Sequence, residues 1–374
     1  MNNTIRVGNL FGIPFYIHPS WFLVLGLVTW TYGTGLASAF PYLGNGSALL
    51  LGLMTALMLF GSVVAHELGH SFVAIRQGID VKSITLFIFG GLASLEKESN
   101  TPASAFWVAI AGPLVSLLLF GVFAAIGFGT GASGVFSAIL GVLASVNLAL
   151  CLFNLIPGLP LDGGNILKAI VWKITGNPNK GVVFASRVGQ FFGWIAVASG
   201  LIPLLLTGSF ANFWNLLIGF FLLRNAGNAA QAARVQEQFT GLTAGDAVSS
   251  DSPIVADNLT IREFADEQIV SGQKWQRFLV TNSDGQLVGA ISADNFRTVS
   301  PQLWSETQVK DVMKPIAEST TVKADQPLLE VVQLIEQQKL SALTVISDNN
   351  VLVGILEKAA IINLLQKRML TNPA

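Results

Sequence analysis

The sequence predicts a polytopic α-helical membrane domain, with about six transmembrane helices and a short β-hairpin, followed by a soluble α/β domain. Three observations carry this. Charged residues make up 11% of the chain and hydrophobic residues 52%, with a mean hydropathy of +0.60. Ordinary soluble domains carry about 25% charged residues. The charge is also uneven: of 21 Lys/Arg and 22 Asp/Glu, only nine and five fall in residues 1–228. Finally, the charged remainder repeats itself at a spacing of 65, residues 280–291 matching 345–356 and Asp246 matching Asp311. Each repeat reads as two strands around a turn and then a helix, too small to bury its apolar face alone. The chain therefore divides into a membrane domain at 1–228, a linker at 229–241 and two repeats at 242–300 and 301–374.

The opening stretch, 5–17, alternates weakly and is broken by Gly8, Gly12 and Pro14, so it reads as a short strand or interfacial turn. Residues 1–17 hold a single charge and no long apolar run, which is not the pattern of a cleavable signal peptide. The first spanning helix covers Ser20–Ala39, with Trp21 suited to the lipid–water interface. Helix two covers 47–77. Residues 81–95 are rich in β-branched and aromatic side chains around a Gly-Gly pair, and read as a hairpin. Helix three covers 102–127 with Gly112-Pro113 as a kink point. Helix four covers 134–155 and ends where Pro157 and Pro160 break it. Helices five and six cover 182–206 and 213–223.

The connections at 40–46, 127–133 and 207–212 carry no charge, while Arg6, Arg76, Lys82, Lys97, Lys168, Lys173, Lys180 and Arg224 fall on the opposite side of six spans. Positive charge marks the cytoplasmic side, so both termini are expected there, in a multi-pass protein of the cell membrane. A net charge of −1 gives no case for a nucleic-acid partner. The single cysteine, Cys151, rules out an intramolecular disulfide and reads as a small buried apolar residue.

The chemistry is concentrated in helix two. His66-Glu67-Leu68-Gly69-His70 places two imidazoles four residues apart, on one helix face and one turn apart. That spacing lets two ring nitrogens reach one small cation at about 2.0–2.1 Å, with Glu67 beside them as general base. Glu67 is the only charged residue between 47 and 75. Ionisable groups in such a span mark function by default; the plainer alternative is a polar cluster that merely joins helices. Asp162, which follows the Pro-rich break, is the other acidic residue in or beside an apolar span. Two His and one carboxylate leave a fourth position open, as catalytic zinc needs. A three-His site would need His18, whose plainer role is an interfacial hydrogen bond.

With HExxH in helix two and Leu161-Asp162-Gly163 after helix four, the chain resembles the site-2 proteases, intramembrane zinc metalloproteases. Phe89-Gly90-Gly91-Leu92-Ala93 and Ala111-Gly112-Pro113 match their bacterial branch, and the likeness covers about residues 5–228. The resemblance implies one zinc ion held by His66, His70 and Asp162, Glu67 as catalytic base, and Asn154 as a substrate-holding residue. It implies a membrane-spanning substrate cut within the bilayer, as in regulated intramembrane proteolysis. Asn165 departs from the Arg frequent after the Gly-Gly pair. The repeats resemble a pair of CBS domains, modules that often bind adenine nucleotides, tune an attached membrane protein and form homodimers. Ribose-binding relatives show Thr/Ser three residues after the Gly and Asp six after it. Gly289 is followed by Ser292 and Asn295 at those places, so these two are the candidate nucleotide contacts; Gly354 is followed by Glu357 and Ala360, which do not match. The alternative reading is a CBS-gated metal or ion transporter. Transporters usually show repeated membrane halves, and residues 1–228 show no such repeat.

Overall fold

The computed structural model describes residues 4–88, 90–131, 133–249, 252–271, 277–292, 295, 299–315 and 320–371. The chain forms two compact units, Met1–Arg234 and Val235–Ala374.

In the first unit, β1 (Ile5–Leu10) and β2 (Ile13–Ile17) form a hairpin. Its turn takes Phe11 and Gly12 through positive φ, 52° and 86°. Helices α1 (Ser20–Ala39) and α2 (Gly44–Arg76) then lead to β3 (Val81–Phe87) and β4 (Gly90–Leu95). The four strands make one sheet in the order β1-β2-β3-β4, with β2 and β3 parallel and the outer pairs antiparallel. Of the two readings of 5–17, short strand or interfacial turn, the strand holds, and the stretch forms two of them; each is too short to show its pairing in its own pattern. Phe89 lies outside the described residues. Ile17, Trp21 and Leu86 pack with Phe60, Val63 and Val64 of α2, which fixes the sheet against the helix that carries the HExxH motif. Where α1 crosses α2 the backbones nearly touch: a Cβ on Gly52 would lie 2.6 Å from Gly33 N.

Helix α3 (Pro102–Gly129) starts with Pro at its first position and Thr101 Oγ1 accepting from Ser104 N–H at 3.1 Å. Helix α4 (Gly134–Asn154) follows. The chain then restarts as α5 (Asp162–Thr175), a helix beyond those expected from the sequence. Its cap is Leu161, which makes no side-chain capping bond, so the usual polar start signal is missing. Helix α6 (Pro178–Thr207) has that signal, Asn177 Oδ1 accepting from the Asn179 and Lys180 N–H groups at 2.8 and 3.2 Å.

Among the described residues, five helices are long and apolar enough to cross a bilayer: Ser20–Ala39, Pro41–Arg76, Pro102–Gly129, Gly134–Asn154 and Pro178–Thr207. The expected sixth, α7 (Phe213–Phe239), differs in kind. Its apolar part ends at Leu223, and the helix runs on through the Ala/Gln-rich stretch read as linker, because those residues are strong helix formers.

The described residues of the second unit form two three-stranded sheets. The first pairs β5 (Ile254–Ala256) parallel to β6 (Arg277–Thr281), and β6 antiparallel to β7 (Leu287–Ser292). Helix α8 (Ile261–Ser271) lies in sequence between β5 and β6. The second sheet repeats the plan with β8 (Thr321–Lys323), β9 (Ala342–Ile346) and β10 (Leu352–Glu357). The repeats exchange their opening segments. Ala244 and Ala247 pack in the core of the second sheet, and Val309 in the core of the first. Lys314 exchanges two backbone hydrogen bonds with Ala290, both 2.9 Å, and Ser249 N–H donates to Ile355 O, also at 2.9 Å. Positions 249 and 290 become 314 and 355 on adding the repeat spacing. The repeated acids are turn closers: Asp246 Oδ2 accepts from Thr243 N–H at 2.8 Å, and Asp311 Oδ2 from Gln308 N–H at 3.1 Å.

Candidate metal centre

His66 and His70 project from the same face of α2, their ring centroids 4.9 Å apart and their Nε2 atoms 3.3 Å apart. Asp162, the first residue of α5, brings Oδ2 to 3.1 Å from His66 Nε2 and 3.3 Å from His70 Nε2. The approach of this aspartate depends on missing side chains. A Cβ on Gly163 or Gly164 would enter the backbone of residues 155–159, and one on Gly189 of α6 would strike Leu159 O. The loop is pinned to α6 by Leu159 N–H donating to Ala185 O at 3.1 Å.

The donor atoms fit a cation. Val108 O of α3 lies 2.6 Å from His70 Nδ1. A carbonyl only accepts, so Nδ1 carries the ring proton and Nε2 presents its lone pair. Nδ1 of His66 is engaged by Ser116 Oγ at 2.9 Å. Ring lone pairs and a carboxylate packed at 3.1–3.3 Å repel one another unless a positive charge lies among them. Tetrahedral donors about 2.0 Å from a zinc ion stand about 3.3 Å from each other, which matches all three edges of this triangle. Gly112 of α3 makes the room: a Cβ there would run into His70 Nε2 and lie 2.7 Å from His66 Nε2. No other such cluster of three His, Cys, Asp or Glu side chains occurs among the described residues.

Glu67 points to the sheet. Its Oε2 accepts from Ala93 N–H of β4 at 3.1 Å, and a Cβ on Gly91 would enter its side chain. Ala93 N–H therefore points out of the sheet edge rather than at β3.

The remaining sequence candidates fall elsewhere. His18 Nδ1 accepts from Ser20 N–H at 3.2 Å and lies 2.7 Å from Ser20 Oγ, at the start of α1. The third donor beside the two His is thus Asp162 and not His18. Asn154 is the last residue of α4, half-buried, its amide bonded to no described residue. Ser292 and Asn295 bond to each other, Asn295 Oδ1 accepting from Ser292 N–H at 3.2 Å as well as from its hydroxyl. Sequence reasoning missed Ser116, Val108 O and Ala93 N–H. It also missed Asn147, fully buried on α4, whose Nδ2 donates to Ser62 Oγ of α2 at 3.1 Å. Only the Gly112-Pro113 pair signalled that α3 comes close.

Comparison with known proteins gives the family. The model of Peptidase family M50 matches residues 54–138 and 130–196, and the CBS domain model matches 309–367. The protein sll0528 of Synechocystis sp., named a zinc metalloprotease, is 56% identical over 98% of this chain and 96% of its own length. The chain belongs to peptidase family M50. Rip3 of Mycobacterium tuberculosis, a family relative also named a zinc metalloprotease, is 30% identical over the whole of this chain and 95% of its own. A solved site-2 protease from Methanocaldococcus jannaschii is 29% identical, covering 61% of this chain and 95% of that one with a TM-score of 0.43. The chain is thus a multi-pass membrane zinc metalloprotease of the site-2 protease family with a C-terminal CBS region. This decides between protease and transporter in favour of the protease.

Proposed function

We propose that this M50 peptidase cuts the transmembrane segments of membrane-anchored, single-span proteins within the bilayer, the reaction of regulated intramembrane proteolysis. One observation carries the reading: a two-His, one-carboxylate triangle with a glutamate beside it, both His and the glutamate lying on an apolar helix long enough to span a membrane and Asp162 reaching them from α5. His66, His70 and Asp162 would hold the zinc, which would supply Lewis acidity and lower the pKa of a water at the site. Glu67 would act there as general base and return the proton to the leaving amine. Ala93 N–H orients the carboxylate, and the outer edge of β4 offers backbone groups to an extended peptide. The substrate helix unwinds first, since its carbonyls are otherwise engaged in intrahelical bonds. Asn154, with its amide uncommitted, holds the unwound stretch.

Both termini lie in the cytoplasm of a cell-membrane protein, the start of α7 serving as the sixth crossing. Uncharged connections at one side and basic ones at the other support this. An impermeant thiol reagent on intact cells should label Gly131→Cys and spare Thr240→Cys; the reverse pattern overturns the orientation. The CBS pair takes an adenine nucleotide at Ser292 and Asn295, modulates cleavage and pairs two copies of the chain. AMP should bind the purified protein and bind Ser292→Ala at least tenfold more weakly; no binding to the parent removes the nucleotide.

The test of the activity is Glu67→Gln with a co-expressed single-span substrate. Cleavage should stop while zinc stays bound. Unchanged cleavage removes Glu67 from the mechanism.

A further inference from the structure

Both imidazoles of the centre are held from behind by one stripe of α3. Val108 O meets His70 Nδ1, Gly112 lies against both Nε2 atoms, and Ser116 Oγ meets His66 Nδ1. These positions are four residues apart in succession, so they form a column along one helix face. The column does two jobs at once. Its middle residue leaves room at the donor atoms, and its ends each meet an Nδ1 atom, Val108 O that of His70 and Ser116 Oγ that of His66.

The two ends are not equivalent. The Val108 carbonyl can only accept, so the state of His70 is fixed by the backbone. The Ser116 hydroxyl can accept or donate. If it accepts from Nδ1–H, His66 Nε2 offers a lone pair to a cation. If it donates to Nδ1, Nε2 carries the proton and spends it on Asp162 Oδ2, 3.1 Å away. The same three side chains would then form a closed hydrogen-bonded cluster. Ser116 is completely buried and His66 nearly so, 0% and 4% exposed, which leaves little room for bulk water to replace a lost hydroxyl.

We infer that Ser116 is a positioning residue of the metal centre: its hydroxyl accepts from His66 Nδ1–H and so commits His66 to ligation through Nε2. This rests on His66, His70 and Asp162 being the zinc ligands. Outer partners of metal-bound His typically alter metal affinity by about 10- to 100-fold when removed. Ser116 is the one member of the column whose hydrogen bond comes from a side chain, and so the one that substitution can delete cleanly.

The experiment uses the full chain in detergent, stripped of metal and titrated with zinc against a chelator of known affinity. Cobalt(II) absorption of the saturated site is measured in parallel. Ser116→Ala should bind zinc about 10- to 100-fold more weakly than the parent, with a shifted cobalt band, while Ser116→Thr, which keeps the hydroxyl, should recover most of both. Parental zinc affinity and a parental cobalt band in Ser116→Ala overturn the inference. So does equal weakening in both variants with the cobalt band unmoved, which would mean packing alone. A parent that binds no zinc defeats the ligand assignment itself, a result distinct from either.

Discussion

A methyl group at position 112 probes the geometry of the centre directly. On Gly112 it would overlap His70 Nε2 and lie 2.7 Å from His66 Nε2. The helix cannot easily back away. Gly69 of α2 is already so close to α3 that a Cβ there would sit 3.0 Å from Ala111 O, and retreat would also draw Val108 O away from His70. Overpacking of a tight interior typically costs about 1–3 kcal/mol. Because the overlap falls on the two donor nitrogens, the cost lands on the metal-bound state. At about 1.4 kcal/mol per tenfold, Gly112→Ala should weaken zinc binding about 5- to 150-fold. The assay is chelator competition on the purified full chain, with a thermal melt of the metal-free protein beside it. Gly121→Ala is the control, on the same helix with open space around the new methyl. It should leave zinc affinity at the parental value and, by helix propensity, add up to about 1 kcal/mol of stability. If Gly112→Ala binds zinc as tightly as Gly121→Ala, α3 does not set the spacing of the donor nitrogens.

Two further outcomes follow from the contacts of Glu67 and Asp246. In Gly91→Ala the new methyl meets Glu67 Cδ and Oε1, each at 2.9 Å, so turnover should fall at least tenfold with zinc affinity held within about threefold; unaltered kcat would show that β4 does not orient the base. Asp246→Ala removes the acceptor for the Thr243 N–H and hydroxyl and should cost about 1 kcal/mol locally, read as faster amide exchange over 243–248 in the full chain. Those bonds from Thr243 hold the Asp246 carboxyl below the usual carboxylate range. Its contribution is therefore complete above the unfolded pKa of about 3.9 and is lost as pH falls through the lower folded value. Protection at 243–248 that is the same in parent and variant at pH 6 would refute the cap.

What the sequence makes legible here is whatever a single element fixes by itself. His66, Glu67 and His70 are readable because an i, i+4 pair on a helix has only one geometry. The third donor lies 96 residues beyond the first, and nothing local separates Asp162 from His18. That choice depends on a loop threaded past Gly163, Gly164 and Gly189, which spacing alone does not encode. Helix α5 was hidden for a related reason: two prolines announce a stop, and an apolar cap at Leu161 gives no signal to restart. The same limit applies in the soluble half. The 65-residue spacing reveals two copies of a unit, yet says nothing of which sheet each opening segment joins, and the segments cross over. It applies most strongly to α3, whose apolar sequence reads as a plain spanning helix apart from Gly112-Pro113. Its carbonyl at 108, bare position at 112 and hydroxyl at 116 acquire meaning only when α2 is laid against them. The motif supplies the two imidazoles, while a neighbouring helix with no titratable side chain meets both of their Nδ1 atoms. Substitutions at 112 and 116 should therefore move metal affinity before they move stability, and comparable changes on the open face of the same helix at Gly121 should not.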